Sequence, residues 1–272
     1  MNGTRNDGFQ GEAYKPQEDI YFNDGREIDL LHFIYNHADL EQMRGKPHRV
    51  LDAIDEYGRT KKYLMNIGKY KARTVIDLII KEKPQTMVEL GGYVGYSAVA
   101  FGAALKDSGG SRYYSLEKNP EFGAVIAMVV DLAGLSDIVK VIIGTSSDSL
   151  RRLSAKELKH IDLLFLDHYK PAYTPDLKLC EDLGIVTPGS VYAADNVIKP
   201  GNPPYLEYVR STVEQKKRNF SRAEQSGPKG NPDLIYESHF VKGWEPSGVP
   251  DAIEITRCIG VQSHTPLNEL QV

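Results

Sequence analysis

The sequence predicts an α/β protein built on a doubly wound, mostly parallel sheet. Between residues 86 and 195, five short apolar runs alternate with amphipathic segments of helical length, and a Gly-rich turn, ELGGYVGYS (89–97), follows the first run. Strands that alternate with helices form right-handed crossovers, which place the strands parallel and the helices on both faces. The five runs are TMVEL (86–90), RYYSLE (112–117), VKVII (139–143), IDLLFLD (161–167) and SVYAAD (190–195).

Helices are predicted before, within and after this region. Apolar residues recur at helical spacing from about residue 27 to residue 82 and predict two or three helices there. Further helices are predicted near 96–106, 120–133, 146–158 and 175–184, each after a Ser, Asn-Pro or Thr-Pro start signal, and one more over 204–217. The runs 233–241 and 251–259 predict an antiparallel hairpin that closes the sheet edge.

The domain organisation follows from these boundaries. We predict a single domain over residues 27–260, because a chain of 272 residues is long enough for one sizeable core. Residues 1–26 are predicted to be a flexible leader and residues 261–272 a flexible tail. The polar loop 223–233 is expected to be mobile.

Composition excludes several classes of protein. The chain has 33 basic and 37 acidic residues, and capture of nucleic acid needs clustered Lys and Arg, so no nucleic-acid partner is expected. No apolar run reaches the roughly 18 residues of a membrane span, and the start of the chain lacks the apolar region of a secretory signal. Cys180 and Cys258 cannot form a disulfide framework. We therefore expect a cytoplasmic protein with a small-molecule partner.

A ligand crevice is predicted where the first strand enters the Gly-rich turn, because glycines let the backbone approach a ligand. The spacing Gly91-Gly92-x-x-Gly95 differs from G-x-G-x-x-G, and Glu89 would repel a pyrophosphate, so a dinucleotide is disfavoured. Glu117, at the end of the second run, can accept hydrogen bonds from two ribose hydroxyls. Two acids without a phosphate-binding lysine favour a cationic nucleoside such as S-adenosylmethionine. The alternative is that both acids merely cap helix N-termini.

A hard-oxygen metal site is predicted at two neighbouring strand ends. The fourth run ends in Asp167, and the fifth ends in Asp195, which Asn196 follows. Two carboxylates and an amide carbonyl suit Mg²⁺, whereas zinc would need more imidazole or thiolate, and His168 is not expected to be a ligand. Lys170 lies three positions after Asp167, where a neighbouring dication would lower its pKa and make it a candidate general base. An isolated lysine is more often a solvated surface residue.

The order of five motifs resembles that of the catechol O-methyltransferase family. The motifs are MNIG (65–68), ELGGYVGYS (89–97), LEKNP (116–120), DHYK (167–170) and ADNVIKPG (194–201), and the match covers about residues 35 to 210. The resemblance implies a class I methyltransferase, a Rossmann-like fold with seven strands in the order 3-2-1-4-5-7-6. It also implies that the protein is an enzyme that uses S-adenosylmethionine and Mg²⁺.

The resemblance assigns expected roles to individual residues. Asp167, Asp195 and Asn196 would be the metal ligands, and Lys170 the base. The cofactor would be lined by Met65, Ile67, Glu89, Gly91, Tyr93, Ser97, Glu117, Ser146 and His168.

The resemblance also outlines a substrate pocket. The family holds the second catechol hydroxyl with a glutamate near the last hairpin, and the match in this sequence is Glu237 in IYESHF. Tyr63 and Tyr169 replace two family tryptophans that wall the pocket, and Pro200 retains the family's proline. Smaller rings that carry a hydroxyl predict a roomier and more polar pocket, so the acceptor is not inherited from the best-known members.

The resulting hypothesis is transfer of a methyl group from S-adenosylmethionine to one hydroxyl of a catechol-like diol chelated on Mg²⁺. A related O-methyltransferase for phenylpropanoid or other diols is the first alternative. A catalytically silent relative that binds the cofactor or a partner is the second. The silent relative is less favoured because all three oxygen ligands and Lys170 are present.

Overall fold

Seven strands form one sheet in the order β3-β2-β1-β4-β5-β7-β6 within the part of the chain that the structure describes. The structure is a computed structural model that describes residues 8–18, 23–222 and 227–262. The strands are β1 (Thr86–Leu90), β2 (Arg112–Glu117), β3 (Val139–Ile143), β4 (Leu163–Leu166), β5 (Val191–Ala194), β6 (Leu234–Trp244) and β7 (Pro250–Val261). Strands β1 to β5 pair in parallel, and β7 is antiparallel to both β5 and β6. The predicted fold class and strand order are therefore confirmed.

Helices precede the sheet and connect its strands. They are α1 (Arg26–Tyr35), α2 (Leu40–Met43), α3 (Pro47–Thr60), α4 (Gly68–Glu82), α5 (Tyr96–Asp107), α6 (Pro120–Leu132), α7 (Ser146–Lys156), α8 (Tyr173–Asp182), α9 (Pro203–Arg210) and α10 (Val213–Arg222). The helix predicted over 204–217 is two helices, because Ser211 adopts an extended conformation with ψ of 142°. Thr212 then binds the backbone N–H of Gln215 and starts the next helix.

The core lies on both faces of the sheet. Every residue of β1 and β4 is buried. Successive strand residues point to opposite faces, so Met87 joins the apolar cluster under α3 to α6 while Val88 joins the cluster under α7 to α9. Burial on both faces explains why these strands read as continuous apolar runs.

The leader is packed over much of its length. Tyr14 is only 7% exposed, and its backbone N–H donates to the carbonyl of Pro246 at 2.9 Å. The Arg26 guanidinium binds Glu18 at 2.6 Å. Residues 8–18 of the predicted leader therefore carry apolar and hydrogen-bonding groups that pack against the domain. Residues 1–7 and 19–22 of the predicted leader lie outside the described residues.

Part of the loop that is predicted to be mobile makes hydrogen bonds to α8. Asp182 accepts hydrogen bonds from the backbone of Lys229 and Gly230, and Glu181 accepts one from Asn231 at 2.6 Å. Residues 223–226 of that loop and residues 263–272 of the predicted tail lie outside the described residues, while Val261 ends β7. In the described ranges, no helix combines the length and the apolar character that crossing a membrane requires.

Candidate active site

The predicted metal ligands come together at the carboxyl edge of the sheet. Leu166 of β4 is paired with Ala194 of β5, so the next residues, Asp167 and Asp195, leave the sheet side by side. The backbone N–H of Asp167 donates to Leu90 at 3.0 Å, and that of Asp195 donates to Leu166 at 2.9 Å. These bonds continue the sheet by one residue and fix where both carboxylates emerge.

A buried lysine that the sequence analysis missed lies against this edge. Lys71 of α4 places its ammonium 2.6 Å from Asp195 Oδ1, 2.6 Å from Glu245 Oε1 and 2.7 Å from Asp251 Oδ2. All four side chains are at most 4% exposed. Glu245 comes from the turn between β6 and β7, and Asp251 from the start of β7.

The burial of these charges shifts their pKa values. Burial, helped by Asp167 and Asp251 and opposed by Lys71, raises the pKa of Asp195 to about 6. Burial likewise raises the pKa of Glu245 to about 8. Burial alone would lower the pKa of Lys71, but its three carboxylate neighbours outweigh it and raise that pKa well above the ordinary value. Lys71 is therefore a fixed positive charge.

The donor set fits a hard divalent cation. Asn196 has φ of 59°, and its Nδ2 donates to Glu245 Oε1 at 2.6 Å and to Asp251 Oδ2 at 3.1 Å. The opposite amide orientation would set an oxygen against two carboxylates, so Oδ1 is the atom available to a cation. Asp167 and Asp195 add carboxylate oxygens, which is the chemistry that Mg²⁺ prefers. Throughout the described ranges, no group of three or more His, Cys, Asp or Glu side chains forms a metal cluster.

Lys170 is held next to the first carboxylate. Its ammonium donates to Asp167 Oδ1 at 2.9 Å and to the Tyr173 hydroxyl at 2.8 Å. The backbone carbonyl of Lys170 accepts a hydrogen bond from Asn202 at 2.8 Å. The side chain is 21% exposed, so it is partly buried rather than a solvated surface lysine.

The Gly-rich turn reaches the same edge. Gly91 has φ of 91°, and a Cβ there would lie 2.6 Å from the backbone oxygen of Asp167, so only glycine permits this close approach. The backbone N–H of Tyr93 donates to Glu117 at 3.0 Å, and the Tyr93 hydroxyl donates to Glu27 at 2.9 Å. The turn therefore connects the ends of β1, β2 and β4.

The two acids of the predicted cofactor site have different surroundings. Glu89 is fully buried and accepts a hydrogen bond from Ser115 at 2.6 Å, and burial raises its pKa to about 7. Glu117 is 9% exposed and accepts backbone bonds from both Tyr93 and Asn119. Asn119 itself caps α6, so neither acid serves as the N-cap residue of a helix. Ser97 contributes to the hydrogen bonding of Glu89.

A shared carboxylate links the predicted adenine residues. Asp176 of α8 accepts a hydrogen bond from Ser146 and lies 2.9 Å from His168 Nε2. The His168 ring stacks on Tyr173 at 4.9 Å. Its Nδ1 is buried and has no hydrogen-bond partner in the described part of the chain. Sequence reasoning missed Asp176, because nothing in its helix pattern marks it as functional.

The predicted pocket residues differ in exposure. Tyr63 and Ile67 are buried in the connection before α4, and Met65 between them is half-buried. Burial raises the pKa of Tyr63, and the nearby charge of Glu245 adds to the shift. Tyr169 is 75% exposed, and Pro200 is exposed in the turn Val197–Gly201.

The structure does not bring Glu237 to this site. Glu237 pairs with Arg257, which pairs with Val191 at the start of β5, so Glu237 is exposed at the opposite edge of the sheet. Glu245 is the glutamate beside Asn196. The correction has a physical reason: β6 continues to Trp244, so the end of the hairpin, rather than its first strand, overlies the carboxyl edge.

Known proteins resemble this chain in sequence and in fold. A family model described as "Methyltransferase domain" matches residues 88–197. The catechol O-methyltransferase of Bos taurus is 36% identical over 208 residues, which are 76% of this chain and 74% of the relative. That of Mus musculus is 38% identical over 209 residues, 76% of each chain. The chain belongs to the catechol O-methyltransferase family. It is therefore an O-methyltransferase, as the motifs predicted.

Solved structures of O-methyltransferases share the fold of this family member. The O-methyltransferase of Bacillus cereus, solved in complex with SAH, superposes with a TM-score of 0.55. Its sequence is 17% identical, and the match covers 82% of this chain and 91% of that one. At this identity the likeness establishes the class I fold alone.

Proposed function

We propose that the protein transfers a methyl group from S-adenosylmethionine to one hydroxyl of a catechol-like diol held on Mg²⁺. The proposal rests mainly on one observation: Lys170 lies 2.9 Å from Asp167 at the sheet edge that also presents Asp195 and Asn196. A base, a hard-oxygen donor set and a Gly-rich crevice thus share one edge of the sheet.

The proposed cofactor site extends from the Gly-rich turn to α8. Tyr93, Gly91 and Ser97 would surround the methionine part, with Glu89 as the buried acid, and Glu117 would accept the ribose hydroxyls. The buried Nδ1 of His168 offers a polar atom to the cofactor. Ser146 and the Met65 and Ile67 side chains would complete the lining. The Bacillus cereus relative, solved with SAH, supports the choice of cofactor.

The proposed chemistry needs an acidified acceptor. When bound, Mg²⁺ supplies Lewis acidity that lowers the pKa of a chelated hydroxyl. Lys170, in its neutral amine form, would then take the hydroxyl proton onto Nζ, and the Tyr173 hydroxyl holds that nitrogen in place by accepting its hydrogen bond at 2.8 Å. Glu245, in its ionised form, would accept a hydrogen bond from the second hydroxyl and so orient the ring. Alignment of acceptor and donor can supply on the order of 7–11 kcal/mol of barrier lowering.

The exposure of Tyr169 favours an open acceptor pocket. Its ring is 75% exposed and leaves room on that side of the edge. Diols that carry large substituents, including phenylpropanoids, are therefore the second candidate class of acceptor.

Removal of the metal tests the proposal directly. Methyl transfer to a panel of free and conjugated diols is measured with Mg²⁺ and with excess chelator, and we expect at least about a hundredfold loss that added Mg²⁺ reverses. Calorimetry should detect Mg²⁺ binding to the wild-type protein and much weaker binding to Asp167→Asn. Equal rates with chelator and with Mg²⁺ would disprove the metal part of the proposal.

The two glutamates offer a matched pair of variants. Above the pKa of about 8 that burial gives Glu245, Glu245→Gln is expected to raise KM for the diol about tenfold, because the second hydroxyl loses a charged acceptor. Glu237→Gln makes the same chemical change on the exposed opposite edge and should leave KM unchanged. If both variants behave alike, Glu245 does not contact the acceptor.

A further inference from the structure

Residues 8–18, the N-terminal clasp, lie across the turn that carries Glu245. The backbone N–H of Tyr14 donates to the carbonyl of Pro246 at 2.9 Å. The Ser247 hydroxyl donates to Gln17 Oε1 at 3.2 Å. Two consecutive residues after Glu245 are thus hydrogen-bonded to the clasp.

Aromatic contacts attach the clasp to both elements beside the turn. The Phe9 ring meets Tyr70 of α4 edge-on at 4.8 Å and Trp244 of β6 at 5.8 Å. A Cβ on Gly8 would lie 3.4 Å from the Trp244 ring, so the clasp backbone also covers that indole. Trp244 is the only tryptophan in the chain and therefore reports on the clasp.

The clasp is anchored on α3 through Tyr14. The Tyr14 hydroxyl donates to Asp55, and the backbone N–H of Lys15 donates to the carbonyl of Gly58 at 2.9 Å. A Cβ on Gly58 would lie 2.4 Å from the Tyr14 ring. The ring therefore fits because position 58 has no side chain.

The turn is confined from its other side as well. Gly68, the first residue of α4, has φ of 63°, and a Cβ there would lie 2.5 Å from Pro246 Cγ. Glu245 is 3% exposed, and both Lys71 and Asn196 donate to its Oε1 at 2.6 Å. The turn thus lies between the start of α4 and the clasp, and its glutamate points into the site.

We propose that the N-terminal clasp is a positioning element of the acceptor site: it holds the 245–249 turn so that Glu245 meets the acceptor diol. The clasp itself touches neither donor nor acceptor. This inference rests on the proposed function, because it takes Glu245 as the residue that binds the second hydroxyl. It places specificity for the acceptor partly in a segment that precedes the methyltransferase fold.

Gly58→Ala tests the clasp in the full-length protein. Alanine is a better helix former than glycine, so α3 is not weakened, but the added methyl displaces the Tyr14 ring. We expect altered Trp244 emission, faster hydrogen exchange in residues 245–249, and a KM for the diol about tenfold higher. The kcat and the affinity for S-adenosylmethionine should change less than about twofold.

Two further variants guard against a folding defect. Tyr14→Ala removes the anchor from the clasp side and should reproduce all three effects. Glu12→Gln, in the same segment, removes only a solvent-screened ion pair with Arg59 at 3.4 Å from a side chain that is 76% exposed, and it should reproduce none of them. Altered Trp244 emission with unchanged exchange in the turn and unchanged KM would overturn the proposal, as would unaltered emission in both Gly58→Ala and Tyr14→Ala.

A failure of the proposed function would give results that differ from a failure of the clasp proposal. If the wild-type protein methylated no diol, the acceptor assignment would fall. The exchange of residues 245–249 would still decide whether the clasp holds the turn, since that measurement needs no substrate.

Discussion

Replacing Lys170 by methionine is expected to lower kcat by about 10²- to 10⁴-fold and to leave the affinity for S-adenosylmethionine nearly unchanged. The reason is that Nζ is the basic atom held at the edge, 2.9 Å from Asp167 and 2.8 Å from the Tyr173 hydroxyl. Methionine keeps most of the length of the side chain, as an unbranched chain without Nζ, but cannot accept a proton. Single-turnover rates and calorimetric titration of the cofactor separate the two effects.

Lys140→Met is the matched control for this prediction. Lys140 lies on β3, its side chain is 56% exposed, and its ion pair with Glu157 is 3.5 Å long. Its replacement should leave kcat unchanged. An equal loss of kcat and cofactor affinity in Lys170→Met would identify Lys170 as a structural residue instead of a base.

Replacing Lys71 by methionine is expected to lower the free energy of unfolding by about 3–5 kcal/mol. Three buried carboxyl groups lie within 2.7 Å of the Lys71 ammonium. Without that charge, the ionised Asp195 and Asp251 would repel each other in a region that excludes water, and Glu245 would lose its charged donor. Urea unfolding measures the loss as a lower midpoint concentration, provided that the m-value is the same for both proteins.

An exposed ion pair provides the comparison. Lys62 and Asp29 are 3.3 Å apart with side chains 42% and 57% exposed, and solvent screens their attraction. Lys62→Met should therefore cost less than about 1 kcal/mol. If Lys71→Met costs no more than Lys62→Met, the buried cluster contributes little to stability.

The sheet could be predicted from the sequence because its signals are local. The runs TMVEL, RYYSLE and VKVII match β1, β2 and β3 residue for residue. Parallel strands are buried on both faces, so they appear as short apolar runs that end at turn residues. Asp167 and Asp195 were located for the same reason, since each is the last residue of such a run.

The acceptor side of the site could not be predicted in the same way. Lys71 is separated from Glu245 by 174 residues and from Asp251 by 180 residues, and no local pattern connects them. Glu237 was chosen because the hairpin was predicted without its register. The register of β7 against β5 and β6 decides which acid lies at the carboxyl edge.

Sequence patterns were enough to predict the sheet, the Gly-rich turn, the pair Asp167 and Asp195 at neighbouring strand ends, and Lys170 beside Asp167. The signal for each of these features lies within one strand and the few residues after it, because strand burial and turn geometry depend on neighbouring residues in the sequence. Only the packing of distant segments shows that Lys71 lies among the inner carboxylates, that Glu245 rather than Glu237 lies beside Asn196, and that residues 8–18 pack on the 245–249 turn. These contacts arise when distant segments are buried together, and burial is what makes charge pairing and close packing necessary.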